Sequence, residues 1–295
     1  MTTVGRLIDD ISFRMHSYTG TREKVTYLTG GIDSDDVVMA VADASAVDRG
    51  LIEIDDELIR VSNVEDDGTV AIFPFGRGEA GTTATSHAMS VKVTNDPILS
   101  SKAVLDAVIE TVEEISPELF QVKTTEFAYD ATSIAFSLPA DVDRILQVTA
   151  DMPGVTRMWP EVCRWRFERS ASAGEFATGK SLEIYEGLSP GYSVRVTYAA
   201  AYEIPATRAD DLADLGIQDS VKEVIFLGAC WRLTQYLEVQ RLQLQTVEQM
   251  ARQAAVPAGA TVNLAKYFLS AYQLRREQER KKLLTLNPAQ IHRTA

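Results

Sequence analysis

The stretch VKEVIFLGACW, residues 221–231, limits the possible folds of this chain more than any other feature of the sequence. Helical spacing continues from Ser220 to about residue 254, and Pro257-Ala258-Gly259 then interrupts it. A helix of this sequence needs neighbours on several sides, so the pattern predicts that it is enclosed by other elements. Its apolar side chains fall on nearly every side of the helix, at Val221, Val224, Ile225, Phe226, Leu227 and Trp231.

Three further stretches have helical spacing. Residues 1–20 repeat apolar side chains along one face, and Asn95-Asp96-Pro97 predicts the start of a second helix that runs to about residue 115. A last helix is predicted over residues 261–286, where an apolar half gives way to the charged run RREQERKK. Asn287-Pro288 ends it, because proline lacks the backbone donor and restrains the residue before it. Residues 289–295 are expected to leave as an extended tail.

Two β-rich stretches lie between these helices. Residues 25–95 and 125–205 each contain short strand-like runs separated by turn residues. The first predicts a small antiparallel module, and the second predicts a sandwich or small barrel. The expected fold class is α+β, a helical bundle with two inserted antiparallel β-modules. The expected segments are an N-terminal helix (1–22), a first β-module (23–96), a joining helix (97–123), a second β-module (124–205), a helical body (206–286) and a C-terminal tail (287–295).

Charge is distributed unevenly along the chain. The 295 residues carry a net charge of −13, yet residues 241–295 hold nine Lys or Arg against three Glu, a balance of +6 that leaves −19 for residues 1–240. An acidic body argues against a protein that grips nucleic acid along its length, since phosphates need cationic partners. The basic end could contact phosphates or an acidic partner, or it could be the solvated face of a helix.

The sequence also favours a particular compartment. No run of about 18 apolar residues is present, so no membrane span is predicted. The N-terminus MTTVGRLIDDISFRMHS carries two aspartates where a secretory signal has a basic start and an apolar core, which favours the cytoplasm where the chain is made. Cys163 and Cys230 are far apart in sequence and are expected to be small buried side chains in a reducing compartment.

A glycine triplet raises a nucleotide-binding hypothesis. Gly76, Gly78 and Gly81 match G-x-G-x-x-G, which holds a dinucleotide pyrophosphate when a strand precedes it and a helix begins at it. The preceding TVAIF predicts a strand, but the following TTATSH disfavours a helix. The preferred interpretation is a Gly-rich connection between two strands. A nucleotide-dependent enzyme is kept as a competing function of a different class.

Metal chemistry has little support in the sequence. His16, His87 and His292 fall in three different segments, which disfavours a histidine metal site. The segment GGIDSDD, residues 30–36, resembles the start of a calcium loop, but the later ligands are not at the required offsets. A solvated, self-capping turn is therefore the preferred interpretation of this segment.

One aromatic and basic cluster suggests nucleic-acid binding. Trp159, Trp165 and Phe167 are interleaved with arginines, as in sites that stack single-stranded bases. Strand alternation explains the same pattern with an apolar inner face and a basic outer face, and this explanation is preferred. No catalytic, cofactor-binding or metal-binding residue is predicted, and the chain is not expected to be an enzyme.

Several segments resemble virion proteins of tailed bacteriophages. In GLIEIDDELIRV followed by DDGTVAIFPFGRGEAGTTATSHAMSVKVTNDP, short strands end in an R-G…G-T-x-A-x-x-H pattern and lead into a helix near a proline. LPADVDRILQVT, GKSLEIYEGLSPGYSVRVTYAAAY and the C-terminal ending resemble the same group. Over about residues 30–295 the chain resembles the head-to-tail connector, or adaptor, proteins of long-tailed phages. The pattern residues in this chain are Arg77, Gly78, Gly81, Thr82, Ala84 and His87.

That resemblance implies a structural protein of the virion neck, between capsid and tail. Such adaptors form homo-oligomeric rings, here expected to hold about a dozen copies. They join the portal protein to the next neck ring or tail protein and surround the channel through which double-stranded DNA passes without sequence-specific binding. The smallest adaptors are mostly helical, so the β content leaves open another neck or tail component: a stopper, a tail terminator or a minor tail protein.

Two sets of residues are assigned to this function. The subunit interface is predicted on the helical body, at Phe226, Trp231, Phe268 and Tyr272. In the C-terminal tail, the apolar Ile291 stands beside the hydrogen-bond donors of His292 and Arg293. Such a segment suits addition to a neighbour's sheet edge or insertion into a groove, and the competing interpretation is a frayed terminus. Contact with the portal is predicted for the basic C-terminal segment, at Arg280, Lys281, Lys282, Ile291, His292 and Arg293.

Overall fold

The predicted fold class is wrong in its main feature. The computed structural model describes residues 2–19, 23–151, 158–243 and 260–288, without the side chains of 17–19, 236–243 and 260–261. These residues form twelve β-strands in three antiparallel sheets and four α-helices, so the chain is mainly β and is not a helical bundle with inserted modules. The physical reason is that each β-region buries an apolar core of its own and needs no bundle to support it.

Six strands form a sheet that curls until its edge strands meet. They are β1 (Lys24–Tyr27), β2 (Val38–Ala40), β3 (Gly50–Ile54), β4 (Glu57–Val64), β5 (Thr69–Ile72) and β6 (Lys92–Asn95). Their order is β1-β6-β3-β4-β5-β2. Beyond β1 and β2, the Thr29 N–H donates to the Ala40 carbonyl and the Ala42 N–H donates to the Tyr27 carbonyl, each at 2.9 Å. These bonds join the first and last strands and close the sheet as a small barrel.

The alternation of side chains along the strands fills the barrel. Successive residues of a strand point to opposite faces, so Ile59 and Val61 of β4 are fully buried while Arg60 between them is exposed. Ile52 and Ile54 of β3 are fully buried in the same way and pack in the same core. Burial of each such side chain contributes about 1.5–3 kcal/mol, which gives the barrel a stable interior of its own.

The second β-region is a sandwich of two three-stranded sheets. Its strands are β7 (Gln121–Ala128), β8 (Ala135–Ser137), β9 (Arg144–Ala150), β10 (Trp165–Glu168), β11 (Ser181–Ile184) and β12 (Ser193–Ala200). One sheet has the order β7-β12-β9 and the other β10-β11-β8. Trp165 and Leu182 of one sheet share a buried core with Val196 and Tyr198 of the other, so the apolar faces of the two sheets pack together.

Helix α3 is enclosed by the other helices. The four helices are α1 (Val4–Thr19), α2 (Ser101–Ile115), α3 (Asp219–Gln243) and α4 (Ala260–Leu286). α3 packs against all three of the others, and Val221, Val224, Ile225 and Cys230 are 0% exposed. The prediction that this apolar segment has neighbours on several sides is confirmed.

The predicted start of α2 is wrong by several residues. Asn95 belongs to β6, and its Oδ1 accepts a hydrogen bond from the Asp48 N–H at 2.9 Å, so its side chain is not free to cap a helix. Asp96 has a left-handed backbone with φ of 45°, which turns the chain out of the barrel. The helix begins instead after Ser100, whose Oγ accepts from the Ala103 N–H at 3.2 Å.

Gly228 is the point where α2 and α4 both approach α3. A Cβ at this position would lie 2.4 Å from Thr111 Cγ2 of α2 and 3.0 Å from Tyr272 Cε2 of α4. Thr111 cannot rotate away freely, because its Oγ1 donates to the Ala107 carbonyl at 2.7 Å and accepts from Arg232 Nη1 at 3.1 Å. The missing side chain of Gly228 therefore sets the separation of three helices.

We expect Gly228→Ala to destabilise the protein by about 1–2 kcal/mol, because overpacking outweighs the gain in helix propensity. Urea denaturation of the full chain measures this change. Gly187→Ala is the control, since a Cβ there meets no atom within 4 Å. Adding Thr111→Ser removes Cγ2 and keeps the hydroxyl, so it should restore part of the lost stability; an additive double variant would contradict this account.

Candidate functional site

Three pattern residues of the phage resemblance, Arg77, Gly78 and His87, contact one buried carboxylate. Glu57, the first residue of β4, has a side chain that is 1% exposed, and Arg77 follows β5 with a side chain that is 8% exposed. The guanidinium meets this carboxylate through two hydrogen bonds, Nε to Oε1 at 2.7 Å and Nη2 to Oε2 at 2.9 Å. This fork geometry is the strongest pairing that arginine and a carboxylate make.

Further donors complete the surroundings of Glu57. His87 Nε2 lies 2.8 Å from Oε2, and the backbone N–H groups of Gly78 and Thr85 donate to the two oxygens at 3.0 and 3.1 Å. The other ring nitrogen of His87 lies 2.9 Å from Asp55 Oδ2. Burial raises the pKa of Glu57, but the hydrogen bonds from Arg77, Thr85, His87 and Gly78 together hold that pKa below its ordinary value.

Arg77 also ties together the loops at this end of the barrel. Its Nη1 donates to the carbonyls of Asp33 at 2.6 Å and Asp36 at 3.2 Å, and its Nη2 donates to the carbonyl of Thr85 at 2.6 Å. Asp33 and Asp36 lie between β1 and β2, whereas Arg77 and Thr85 lie between β5 and β6. We call Glu57, Arg77 and His87 the clamp, because they fix these loops to the start of β4.

The glycine triplet forms a turn, as the sequence predicted. Gly78 and Gly81 have φ of 65° and 80°, and a Cβ at Gly76 would lie 2.8 Å from the Arg60 carbonyl oxygen. Only a three-residue 3₁₀ turn, Glu79–Gly81, follows, and the Gly78 N–H donates to Glu57. The backbone donor that a pyrophosphate would require is thus used by the clamp.

The acidic segment before β2 is also a self-capped turn. The Asp33 N–H donates to Asp36 Oδ2 at 2.7 Å, which is the local bond expected of such a segment. In the part of the chain that the structure describes, no group of three or more His, Cys, Asp or Glu side chains could hold a metal ion. None of the described helices combines the length and apolar character that a membrane span requires.

A polar cavity of about 370 Å³ lies between the barrel and the helices. Arg208 crosses it: Nη2 contacts Asp9 of α1 at 2.6 Å, and Nη1 contacts Ser101 of α2 at 3.0 Å and Asp56 of the β3–β4 turn at 3.3 Å. The guanidinium therefore links the barrel to two helices. Five carboxylates line the cavity, those of Asp9, Glu23, Glu53, Asp55 and Asp56.

Glu53 of β3 is the unusual carboxylate in this cavity. Its Oε1 accepts a hydrogen bond from the Ser101 N–H at the start of α2. Burial raises the pKa of Glu53 to about 7, and the nearby carboxylates of Glu23 and Asp56 act in the same direction. Near neutral pH the charge of Glu53 therefore depends on small changes in pH.

The four predicted interface residues lie on α3 and α4. Phe268 and Tyr272 are 2% and 1% exposed within the chain's own helical core. Phe226 and Trp231 are half-buried against that core, and Trp231 stacks on Tyr272 with ring centroids 6.1 Å apart. Packing within one chain thus accounts for the apolar character of all four. Their contact with a second copy stays a prediction.

The basic residues predicted to contact the portal are partly paired within the chain. Arg280 makes two hydrogen bonds to Glu277, at 2.8 and 3.0 Å, and these hold the pKa of Glu277 at about 2. Lys281 and Lys282 lie 3.5 and 3.4 Å from Glu277 and Glu279, with side chains 72% and 52% exposed. Ile291, His292 and Arg293 lie outside the described residues.

The aromatic and basic cluster follows the strand explanation only in part. Trp165 points into the sandwich and is 3% exposed. Trp159 instead makes a cation–π contact with Arg195, whose guanidinium carbon lies 3.9 Å from the centroid of the Trp159 ring. Cys230 is buried, as predicted, but Cys163 is exposed, so its predicted burial is wrong. Cys163 precedes β10, where its N–H donates to Glu186 Oε2 at 2.8 Å and the strand alternation has not yet begun.

Sequence reasoning missed the acidic half of the clamp. Arg77 and His87 belong to the quoted pattern, but Glu57 was not singled out. The available signal was a glutamate directly before the apolar pair Leu58-Ile59 at the start of a strand, where an unpaired buried charge would be costly. Arg208 gave no sequence signal, because its partners Asp9 and Ser101 are distant in the chain.

We expect Arg77→Ala to cost about 3–5 kcal/mol of stability, because it leaves the buried carboxylate of Glu57 without its cation. Arg60→Ala is the matched control: Arg60 pairs with Glu79 at 2.7 Å, but its side chain is 55% exposed, so the loss should stay below about 1 kcal/mol. Chemical denaturation measures both changes. Equal losses in the two variants would contradict the assigned role of the clamp.

The Glu53 carboxyl should make stability fall as pH rises. Its folded pKa of about 7 exceeds its ordinary value of 4.5, so the folded state keeps a proton that the unfolded state has lost, and this advantage disappears as pH rises through 7. Glu53→Gln should match the wild type near pH 5 and exceed it by on the order of 1 kcal/mol at pH 8. The exposed Glu65→Gln is the control; a constant difference between wild type and Glu53→Gln across this range would contradict the assignment.

Comparison with known proteins assigns no family to this chain. The sequence matches no protein-family model, and no curated protein matches it significantly. The resemblance to phage neck proteins therefore rests on the quoted sequence segments. Within these, Arg77, Gly78 and His87 contact the buried Glu57, and Thr82 Oγ1 accepts from the Leu58 N–H at 3.1 Å.

Proposed function

We propose that this chain is a structural protein of a tailed-phage virion, a head-to-tail connector of the neck. In this role a ring of copies joins the portal to the next neck ring and surrounds the DNA exit channel. The observation that carries the proposal is the resemblance in the barrel region. Its pattern residues Arg77, Gly78 and His87 all contact one buried carboxylate, that of Glu57. The pattern therefore stabilises the barrel, and we expect other proteins with the same barrel to need the same residues.

The charge distribution supports the same role. Residues 1–240 carry a net charge of −19. A wall of like charge keeps the phosphate backbone from adhering as double-stranded DNA slides past, so an acidic body suits a channel protein without sequence-specific binding. Acidic side chains around the polar cavity, such as Asp9 and Asp56, contribute to this excess.

The basic end of the chain is the proposed contact with the portal. Lys281 and Lys282 keep much of their side chains exposed despite their pairing with Glu277 and Glu279. The segment beyond α4 adds Ile291, an apolar anchor, beside His292 and Arg293. A short segment of this chemistry suits addition to a neighbour's sheet edge or insertion into a groove.

A second candidate is another neck or tail component, such as a stopper, a tail terminator or a minor tail protein. The observation that favours it is the mainly β architecture, with a closed six-stranded barrel and a β-sandwich, because the smallest adaptors are mostly helical. Both candidates are structural proteins of the virion. They differ in the neighbour that each contacts, so the position in the particle separates them.

Deleting residues 287–295 should leave a folded protein that no longer joins heads to tails, because the deletion removes the proposed portal anchor and leaves α4 intact. Complementation of a phage that lacks the gene, followed by electron microscopy of the lysate, should show filled or leaking capsids beside free tails. A chain whose last nine positions are replaced by Gly and Ser of equal length controls for length and should fail in the same way. Normal virion yield from either chain would contradict the anchor.

A further inference from the structure

One end of the barrel presents three exposed apolar side chains on the loops that the clamp holds. Phe75 is 100% exposed, Met89 65% and Val37 55%. Val37 follows Asp36, and Phe75 precedes Gly76 and Arg77, whereas Met89 lies two residues after His87 on the same β5–β6 connection. We call Val37, Phe75 and Met89, with the exposed Asp33 and Asp35 beside them, the barrel tip.

The barrel tip is rigid and locally strained. Arg77 binds the carbonyls of Asp33 and Asp36, and the backbones of Ile32 and His87 exchange two hydrogen bonds at 2.9 and 2.8 Å, so hydrogen bonds hold these loops in the conformation that exposes the three apolar side chains. Phe75 has φ of 62°, a left-handed backbone that is strained for a non-glycine residue. A fully exposed phenylalanine kept in a strained backbone marks a surface that contacts another molecule.

A second exposed surface lies on α4. Tyr267 and Leu274 are each 62% exposed, and the Lys281 side chain is 72% exposed. These residues are seven apart, so they lie on one line along the helix, about 21 Å from first to last. The opposite face of α4 is occupied, because Phe268 and Tyr272 pack in the core with α3. We call Tyr267, Leu274 and Lys281 the α4 stripe.

The two surfaces complement each other in character. The barrel tip combines apolar side chains with the carboxylates of Asp33 and Asp35, and the α4 stripe combines apolar side chains with the ammonium of Lys281. Because Phe75 and Leu274 are both exposed, the two surfaces do not cover each other within one copy. We propose that copies of this chain associate head to tail, with the barrel tip of one copy packed on the α4 stripe of the next.

This contact deepens the proposed ring function and rests on it. An interface between two different surfaces is heterologous, so each copy has one of each to offer and the assembly grows until a rotation closes it as a ring. The apolar residues supply the buried centre of such an interface, and the charges at its margin orient the copies. Lys281 belongs to this margin in the ring, so the portal contact falls to Lys282 and the segment after α4. The ring thus forms through exposed residues, while Phe268 and Tyr272 stabilise each copy from within.

The test uses the purified full chain and two variants, Phe75→Ser in the tip and Leu274→Ser in the stripe. Sedimentation velocity should show association of the wild type and a dissociation constant weaker by about tenfold or more for each variant. Phe13→Ser is the matched control, since Phe13 is 82% exposed on α1 and belongs to neither surface. Circular dichroism and thermal unfolding are used to check that all variants stay folded, as expected for exposed positions.

Mixing the two variants gives the decisive outcome. Phe75→Ser keeps an intact stripe and Leu274→Ser keeps an intact tip, so a one-to-one mixture should form dimers and no larger species. A wild type that stays monomeric at its highest soluble concentration, variants that associate like the wild type, or a mixture without dimers would each overturn the contact. A monomeric protein that still joins heads to tails would overturn only this contact, whereas a chain that associates this way but is absent from virions would overturn only the proposed function.

Discussion

The need to enclose α3 governs how the helical part of the chain is arranged. Its segment from Val221 to Trp231 is apolar on nearly every side. The free energy of exposing that surface to water would exceed the free energy gained by forming the helix alone, so the helix needs neighbours that cover it. α1, α2 and α4 cover it, with Gly228 allowing α2 and α4 to approach on two sides. At the edge of this contact, the carboxylate of Glu114 on α2 forms ion pairs with Arg232 of α3 at 2.6 Å and with Arg276 of α4 at 3.0 Å.

A second constraint shapes the barrel. A carboxylate buried as deeply as that of Glu57 must be neutralised and hydrogen-bonded, and the donors that do so come from the loop after β5. Satisfying one charge therefore fixes the loops that carry Val37, Phe75 and Met89. At the β3–β4 turn, next to Glu57, Arg208 holds Asp56 as well as Asp9 of α1 and so links the barrel to the helices. Polar contacts position the modules, and apolar cores stabilise each of them.

The sequence predicted those features of the fold that depend on residues close together in the chain. The apolar surface of α3 required enclosure, and the glycines at 76, 78 and 81 required a turn, and both predictions are confirmed. The fold class was wrong, because each β-region buries an apolar core of its own instead of serving as an insert in a helical bundle. Closure of the barrel was also missed, because it depends on pairing between its first and last strands, which no run of residues reveals. The start of α2 was misplaced, because the Asn95 side chain accepts a hydrogen bond from the Asp48 N–H, a partner that is distant in the sequence. The clamp was found only in half, since nothing local connects Glu57 to Arg77 and His87.

The most direct test of the proposed role is electron cryo-microscopy of the intact virion neck. The barrel, the sandwich and the four helices have distinct shapes, so density for this chain is recognisable at side-chain resolution without prior labelling. The account predicts a closed ring of copies between the portal and the next neck ring, with the acidic body facing the DNA channel. A neck fully built from other chains, with this protein absent or located elsewhere in the particle, would contradict it.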